Sequence, residues 1–219
     1  DTETTGLPKN YSAPISETDN WPRMVQIAWQ INDKSGNLIS SESHIIKPKG
    51  YTIPFNAEKI HGISTQKAID KGKEIKYVLE KFNNELKKNK YIIGHNINFD
   101  VNILGSEFYR SKIKTSLLEK ESIDTGLISK EFCQLEGGLG GKLKMPKLIE
   151  LYNILFESDF SDAHDARADV NATAKCFFEL MKRKVFETEE SKLTDIKYEG
   201  VEIKESNFKK NNDDLNKRN

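Results

Sequence analysis

Four acidic side chains and one histidine, spread over three short segments, are the residues of this sequence that could do chemistry together. In the first segment, Asp1 and Glu3 are two residues apart. Alternate side chains of a β-strand point to the same face, so a strand would project both carboxylates together. Paired carboxylates repel each other unless a cation lies between them. An ordinary polar segment also explains such a triplet, so the other two segments decide its meaning.

The second segment ends at Asp100, between a short apolar strand and a predicted helix. Ligand sites commonly lie at the C-terminal ends of strands, so this position favours a functional carboxylate. The alternative is an acid in the first helical turn, where the helix dipole stabilises negative charge. Both interpretations place Asp100 at the same strand–helix junction.

The third segment contains His164 and Asp169 and begins the longest predicted helix. Asp169 lies among small alanines on that helix, which is unusual because ionised carboxylates are rarely buried without a partner. A helix start capped by Asp162 or Asp165 would explain those two acids, but it leaves Asp169 unexplained.

The four carboxylates and His164 together predict a hydrolytic site with two divalent metal ions. Two such cations carry about +4 of charge against about −4 on the carboxylates, and oxygen ligands favour Mg²⁺ or Mn²⁺. One ion would activate a water molecule and the other would stabilise a departing 3′ oxygen. His164, with an ordinary pKa near ~6.5, would accept the proton of the water. One reaction, phosphodiester hydrolysis, thus uses the whole set.

The elements that must position these residues follow from hydrophobic periodicity and turn signals. Two apolar-rich strands, 24–31 and 38–46, flank a polar turn and predict a β-hairpin. A short buried strand is predicted at 91–94. Amphipathic patterns predict helices at 64–71, 74–89, 98–110, 147–156 and 166–184. A hairpin followed by alternating strands and helices predicts an α/β fold with a mixed sheet flanked by helices.

The composition limits the classes of protein that fit. Basic and acidic residues number 34 each, so the formal net charge is zero and bulk charge does not indicate a nucleic-acid partner. Cys133 and Cys176 are far apart in the sequence, which argues against a zinc site and a disulfide scaffold. No apolar run approaches a membrane span, and we predict a cytoplasmic protein. A change in composition predicts a folded domain at 1–186 and a charged tail or small appendage at 187–219.

The three segments resemble the motifs of the DEDDh exonucleases, the DnaQ-like family that includes the epsilon proofreading subunit of bacterial DNA polymerase III. The family's Asp-x-Glu motif is similar to DTETTGLP at 1–8, and its His-Asn-x-x-Phe-Asp motif is similar to HNINFD at 95–100. Its third motif, His and Asp separated by four residues, is similar to HDARAD at 164–169. An Ile-His-Gly-Ile stretch of the family stands at 60–63. The sister subfamily has Tyr at the position of Asp165, which excludes it.

The resemblance implies an RNase H-like exonuclease fold with a central mixed five-stranded sheet flanked by helices. It implies a 3′→5′ exonuclease that releases nucleoside 5′-monophosphates from DNA, with single-stranded DNA or frayed 3′ ends as substrates and a DNA polymerase subunit as a partner. The implied general base is His164. The implied metal ligands are Asp1, Glu3, Asp100 and Asp169. The implied pocket for the terminal nucleotide comprises Thr4, Leu7, His61, Asn96 and Phe99.

Alternatives within and outside the nucleases fit part of the same evidence. An RNA-directed 3′ exonuclease, of the oligoribonuclease or tRNA-trimming type, would have a similar pocket, because contact with a 2′-hydroxyl is what separates the two classes. A stand-alone enzyme and a polymerase-bound editing subunit fit equally well. A non-catalytic module of the same fold is disfavoured by the complete set of four acids and His164.

The first strand departs from the family pattern. In the family, several apolar residues precede the Asp-x-Glu motif in the central strand, whereas this sequence starts at Asp1. A strand so short would leave backbone groups of its neighbours unpaired, and a free α-amino group would place a positive charge at the metal site. We therefore expect the first strand to begin upstream of Asp1.

Overall fold

An antiparallel sheet of three strands forms the first part of the structure. The computed structural model describes residues 1–160 and 165–188. The sheet has the order β1-β2-β3 and consists of β1 (Thr2–Thr4), β2 (Met24–Asn32) and β3 (Leu38–Ile45). β2 and β3 form the predicted hairpin, and Asp33 closes its turn by accepting hydrogen bonds from the N–H groups of Ser35 and Asn37. The hairpin prediction is confirmed.

The described residues form seven α-helices and two short 3-10 turns. The helices are α1 (Phe55–His61), α2 (Thr65–Lys71), α3 (Ile75–Lys88), α4 (Ile97–Ser111), α5 (Thr125–Cys133), α6 (Leu148–Phe156) and α7 (Ala166–Lys182); the 3-10 turns are Leu117–Glu119 and Leu139–Gly141. The five predicted helices correspond to α2, α3, α4, α6 and α7. The sequence did not predict α1, whose start at Pro54 has no side-chain cap, or α5, which spans only nine residues.

A parallel pair of strands, β4 (Tyr91–Gly94) and β5 (Glu121–Asp124), forms a second hydrogen-bonded group. Gly94 pairs with Asp124, so both strands end at the same edge. α4 begins after β4 and α5 begins after β5, which brings the starts of the two helices side by side. This edge is where the Asp100 segment was predicted to lie.

Two hydrophobic cores hold the helices that carry the predicted acidic residues Asp100 and Asp169. The main core joins β2, α3 and α4, and its buried side chains include Met24, Ile27, Val78, Leu79, Ile103, Leu104 and Phe108. A second core joins α6 to α7 through Leu151, Leu155, Cys176 and Leu180. α7 also packs against β2. α4 and α7 therefore pack against the same strand.

The predicted α/β class is confirmed, but the five strands of the described residues form a three-stranded and a two-stranded sheet and not the predicted single five-stranded sheet. Over the described residues, β1 pairs with β2 alone, and β4 pairs with β5 alone. Because β1 has only three residues, it pairs only with the beginning of β2. Among the described residues, Trp29–Asn32 of β2 pair with β3 alone. Among the helices that the structure describes, none is long and apolar enough to cross a membrane.

Candidate active site

Three of the four predicted metal ligands meet in one acidic cluster. Carboxylate oxygens of Asp1, Glu3 and Asp169 all lie within 4.8 Å of one another. Asp1 and Glu3 flank Thr2, and their meeting agrees with the two-residue periodicity of a strand. The α-nitrogen of Asp1 donates to the Ala28 carbonyl oxygen at 3.1 Å, and Ala28 N–H donates to the Asp1 carbonyl oxygen at 3.0 Å. These bonds continue the pairing of β1 with β2 and fix the Asp1 backbone.

The first turn of α7 brings Asp169 to the cluster. Asp165 is the N-cap of this helix, and its Oδ1 accepts hydrogen bonds from Arg167 N–H at 2.9 Å and Ala168 N–H at 3.4 Å. The capping role considered for Asp165 is therefore confirmed. Asp169 N–H then donates to the Asp165 carbonyl oxygen at 3.0 Å, as in a regular helical turn.

Asp100 lies outside the group of three but beside it. It occupies the first turn of α4, is buried, and accepts a hydrogen bond at 2.7 Å from the hydroxyl of Thr2. The charge of Asp100 raises the pKa of Glu3, so Asp100 lies close enough to the cluster to interact with it. Thr2 thus joins the segment of Asp1 and Glu3 to the segment of Asp100.

The electrostatics of the cluster suit a bound cation. Burial and the neighbouring carboxylates of Asp169, Asp100 and Asp165 raise the pKa of Glu3 to about 8, while the α-ammonium group of Asp1 acts in the opposite direction. Burial also raises the pKa of Asp100. Carboxylates crowded in this way are costly to ionise together unless positive charge compensates them. Oxygen-only donors match hard divalent ions such as Mg²⁺ and Mn²⁺, so these residues fit the predicted metals.

Three of the predicted pocket residues lie at the end of β1, after it or beside it. The Thr4 hydroxyl donates to the Gly6 carbonyl oxygen at 2.6 Å and stabilises the turn after β1. Leu7 is 74% exposed, so its side chain is available to a ligand. Burial lowers the pKa of His61, whereas a hydrogen bond with the backbone of Thr4 raises it. The two residues are therefore neighbours.

The other two pocket residues lie at the start of α4. Asn96 is exposed and adopts a left-handed backbone conformation with φ of 59°. Phe99 is half-buried and packs against the main core. Both are within four residues of Asp100, so any movement of this helix start would move all three. The predicted general base, His164, lies outside the described residues, and its role stays a prediction.

The residues that hold the predicted ones in place are not among the sequence predictions. The Asp-x-Glu pattern gives Thr2 no role, yet its hydroxyl donates to Asp100. Asp124 does have a local signal, because an Asp followed by Thr-Gly after an apolar residue is a typical N-cap pattern. The motif at 95–100 gives His95 no contacts, but its ring nitrogens lie 3.0 Å from Thr125 Oγ1 and 2.9 Å from the Pro146 carbonyl oxygen.

Comparison with solved structures shows the fold. The chain is similar to E. coli exonuclease I in complex with a dT13 oligonucleotide, with 24% identity and a TM-score of 0.67 over 84% of this chain and 40% of that one. It is also similar to the E. coli exonuclease I complex with a dA16 oligonucleotide, with 22% identity and a TM-score of 0.64 over 85% of this chain and 41% of that one. A zinc-bound form of the E. coli exonuclease I complex with single-stranded DNA matches with 22% identity and a TM-score of 0.62, over 84% of this chain and 40% of that one.

These likenesses confirm the predicted RNase H-like α/β fold. The chain spans about two fifths of the length of the solved structures that it matches. No curated protein sequence matches it closely. The family model described as exonuclease matches residues 1–177, which include all the predicted site residues. On the extent of that match, the chain belongs to the exonuclease family.

Proposed function

We propose that this protein is a metal-dependent 3′→5′ exonuclease that removes nucleoside 5′-monophosphates from the 3′ end of DNA. The observation that carries the proposal is the convergence of Asp1, Glu3 and Asp169 within 4.8 Å, with Asp100 beside them, in a chain of the exonuclease family. A cluster of partly buried acids from elements far apart in the sequence is costly for folding unless it binds cations. Its position at the start of two helices leaves it accessible to a ligand.

The four carboxylates would hold two divalent ions, Mg²⁺ or Mn²⁺. When bound, the ions supply an activated water molecule and stabilise the departing 3′ oxygen. Glu3 would hold them from β1 and Asp1 from the position directly before it, and Asp169 and Asp100 would hold them from the first turns of α7 and α4. His164 would accept the proton of the attacking water, since an imidazole with an ordinary pKa is neutral near neutral pH.

The pocket for the terminal nucleotide would combine apolar and polar contacts. Leu7 is exposed and suits a wedge against the terminal base, and Phe99 would offer a ring for stacking. Thr4 and Asn96 would contact the sugar or the 3′-hydroxyl, and His61 would line the same pocket. Such contacts do not distinguish the four bases, so we expect degradation without sequence preference.

The proposed substrate is single-stranded DNA, including frayed 3′ ends. Solved structures of the same fold hold single-stranded oligonucleotides, which supports a single strand as the ligand. A role in proofreading or repair, beside a DNA polymerase subunit and similar to that of the epsilon subunit, is the finer form of the proposal. The free thiols of Cys133 and Cys176 accord with the reducing cytoplasm.

Digestion of 5′-labelled single-stranded DNA beside the matched RNA, with Mg²⁺, tests the proposal. We expect the label to stay on products that shorten one nucleotide at a time, with DNA degraded faster than RNA. Faster degradation of RNA would support the oligoribonuclease or tRNA-trimming alternative. Early release of labelled mononucleotide would contradict the 3′→5′ direction, and intact substrates would support a non-catalytic module. An Asp169→Asn preparation controls for contaminating nucleases.

We also propose that the exonuclease domain comprises residues 1–186, with 187–219 as an appendage, of which 189–219 lie outside the described residues. The edge of β2 beside Asp1 would accept a longer β1. A cavity of about 680 Å³ lies between β2 and β4 next to Asp1, and Trp29, Ile31, Ile92 and Phe177 contribute to its lining. An extended segment there would pair with β2 in the register that the Asp1–Ala28 bonds begin. Adding four apolar residues before Asp1 should raise the melting temperature, and a charged segment of equal length should not.

A further inference from the structure

The Asp124 carboxylate lies buried between the starts of two helices and binds backbone groups of both. Its Oδ1 accepts hydrogen bonds from Asn96 N–H at 3.0 Å, Gly126 N–H at 2.9 Å and Leu127 N–H at 3.3 Å. Its Oδ2 accepts from Ile97 N–H at 3.2 Å. The first and last of these contacts belong to α4, and the other two belong to α5. One carboxylate therefore caps its own helix and the helix that follows the neighbouring strand.

α4 depends on this carboxylate because it has no side-chain cap of its own. Its N-cap residue is Asn96, whose side chain makes no capping hydrogen bond and whose backbone is left-handed, with φ of 59° and ψ of 42°. The first N–H groups of a helix have no partners within it, and buried ones need an acceptor from elsewhere. Asparagine is among the residues other than glycine that most readily adopt a left-handed conformation, which suits Asn96 to this position. Asp124 supplies the acceptor that this helix start lacks.

The strands beneath the two helices hold the junction in register. Gly94 and Asp124 are paired at the ends of β4 and β5. The Thr125 hydroxyl lies 3.2 Å from the Gly94 carbonyl oxygen and 3.0 Å from His95 Nδ1, so its single proton is donated to one of these two acceptors at a time. His95 Nε2 contacts the Pro146 carbonyl oxygen at 2.9 Å, so it carries the proton of the ring. Asp124 is thus part of a junction fixed by both backbone and side-chain bonds.

The residues held by this junction are those on which the proposed function rests. Asn96 is a proposed substrate contact, and Asp100, a proposed metal ligand, follows it by one helical turn. Asp100 must also stay in place to accept the 2.7 Å hydrogen bond from Thr2. Asp124 has no charged partner in its hydrogen bonds among the described residues, and its four N–H donors are all backbone groups.

We infer that Asp124 is a positioning residue of the active site: by capping α4 from the neighbouring strand, it sets the positions of Asp100 and Asn96. The inference rests on the proposed function, because it assumes that Asp100 binds metal. A metal ligand is commonly oriented by groups behind it, and their loss costs roughly 10–100-fold in metal affinity or activity. The same range is expected here, although Asp124 acts through the helix backbone and touches no metal ligand directly.

Asp124→Asn is the test variant, with two companions. The amide keeps one oxygen acceptor but replaces the other with an NH₂ group, which cannot accept from Ile97 N–H. Asp33→Asn is the matched control, since Asp33 also accepts from backbone N–H groups, but in the exposed hairpin turn after β2. Thr125→Val preserves shape in the buried junction and removes only the hydroxyl that contacts Gly94 and His95.

The three variants and the wild type are compared by Mn²⁺ titration calorimetry, kcat on single-stranded DNA, and thermal melting. We expect Asp124→Asn to lose roughly 10–100-fold in kcat or Mn²⁺ affinity, Thr125→Val to lose several-fold, and Asp33→Asn to match the wild type. Wild-type kcat and Mn²⁺ affinity in Asp124→Asn, with only a lower melting temperature, would overturn the inference. If Asp124→Asn does not fold, the Thr125→Val variant decides: wild-type kcat and Mn²⁺ affinity in that variant would overturn the inference. A wild-type protein that neither binds Mn²⁺ nor degrades DNA overturns the proposed function, and this inference with it.

Discussion

The starts of α4 and α7 both present an acidic residue to the site, but they are built in opposite ways. α7 is capped locally by Asp165, which precedes the helix directly. α4 is capped by Asp124, which lies 28 residues away in the sequence from Asn96 and belongs to another strand. The local cap fixes a single helix, whereas the distant one fixes α4 against β5 and α5 together. The two halves of the site should therefore respond differently to mutation.

The largest effect is expected on the α7 side, where the ligand itself is changed. Asp169→Asn keeps the shape of the side chain but removes the charge that a metal ion needs, so activity should fall by several orders of magnitude. The fold should persist because Asp165 and the core with α6 still hold α7. Steady-state kcat on single-stranded DNA and a thermal melt measure both outcomes. Near-full activity in this variant would remove Asp169 from the site.

His164→Ala is expected to have the next largest effect, on the order of 10²–10⁴ in rate. If His164 is the general base, the wild-type kcat should rise with pH through an inflection within about one unit of ~6.5 and then level, because only the neutral imidazole accepts a proton. The variant should lose that inflection but keep Mn²⁺ binding, since the ligands are carboxylates. A variant that loses thermal stability and keeps both rate and inflection would show a merely structural His164.

A smaller effect is expected on the α4 side when Thr2 is changed. Thr2→Val keeps the buried shape and removes the hydroxyl that holds Asp100 at 2.7 Å, so kcat or Mn²⁺ affinity should fall roughly tenfold. Thr2→Ser keeps a hydroxyl and should restore most of the loss. If serine and valine behave alike, the hydrogen bond does not position Asp100.

The same contrast explains how much of the molecule could be predicted from its sequence. The pairing of Asp1 with Glu3 follows from the two-residue repeat of a strand, and Asp165 is a local cap within three residues of its partners. Such local patterns also located the hairpin and five helices. Thr2 bonds a residue 98 positions away, and Asp124 bonds one 28 positions away, so neither contact has a local signal. β5 is only four residues long, so it is recognised as a strand from its pairing with β4 and not from its sequence pattern.

Glu3 interacts with Asp169 on the α7 side and with Asp100 on the α4 side, so the pH dependence of stability should depend on both. In metal-free protein its pKa is raised to about 8 from an ordinary value of 4.5, so between these values the folded state binds a proton that the unfolded chain has released. Stability should therefore fall as pH rises through this window and level above about pH 8. Melting in EDTA should show a decline of a few degrees, which Glu3→Gln removes. Because Asp169 raises this pKa more than Asp100 does, Asp169→Asn should flatten the decline more than Asp100→Asn.

The smallest effect is expected from Asp165→Ala, which removes the local cap. Loss of an N-cap carboxylate that accepts from two N–H groups should lower the free energy of unfolding by about 1 kcal/mol. Activity should change little, because α7 stays anchored through Leu155, Cys176 and Leu180 in its core with α6. Urea unfolding and kcat, measured beside Asp124→Asn, decide whether the two caps differ as their construction implies. A tenfold loss of kcat in Asp165→Ala would show that the local cap also positions its ligand. The difference between the two helix starts would then lie in where the capping residue comes from and not in what it does for the site.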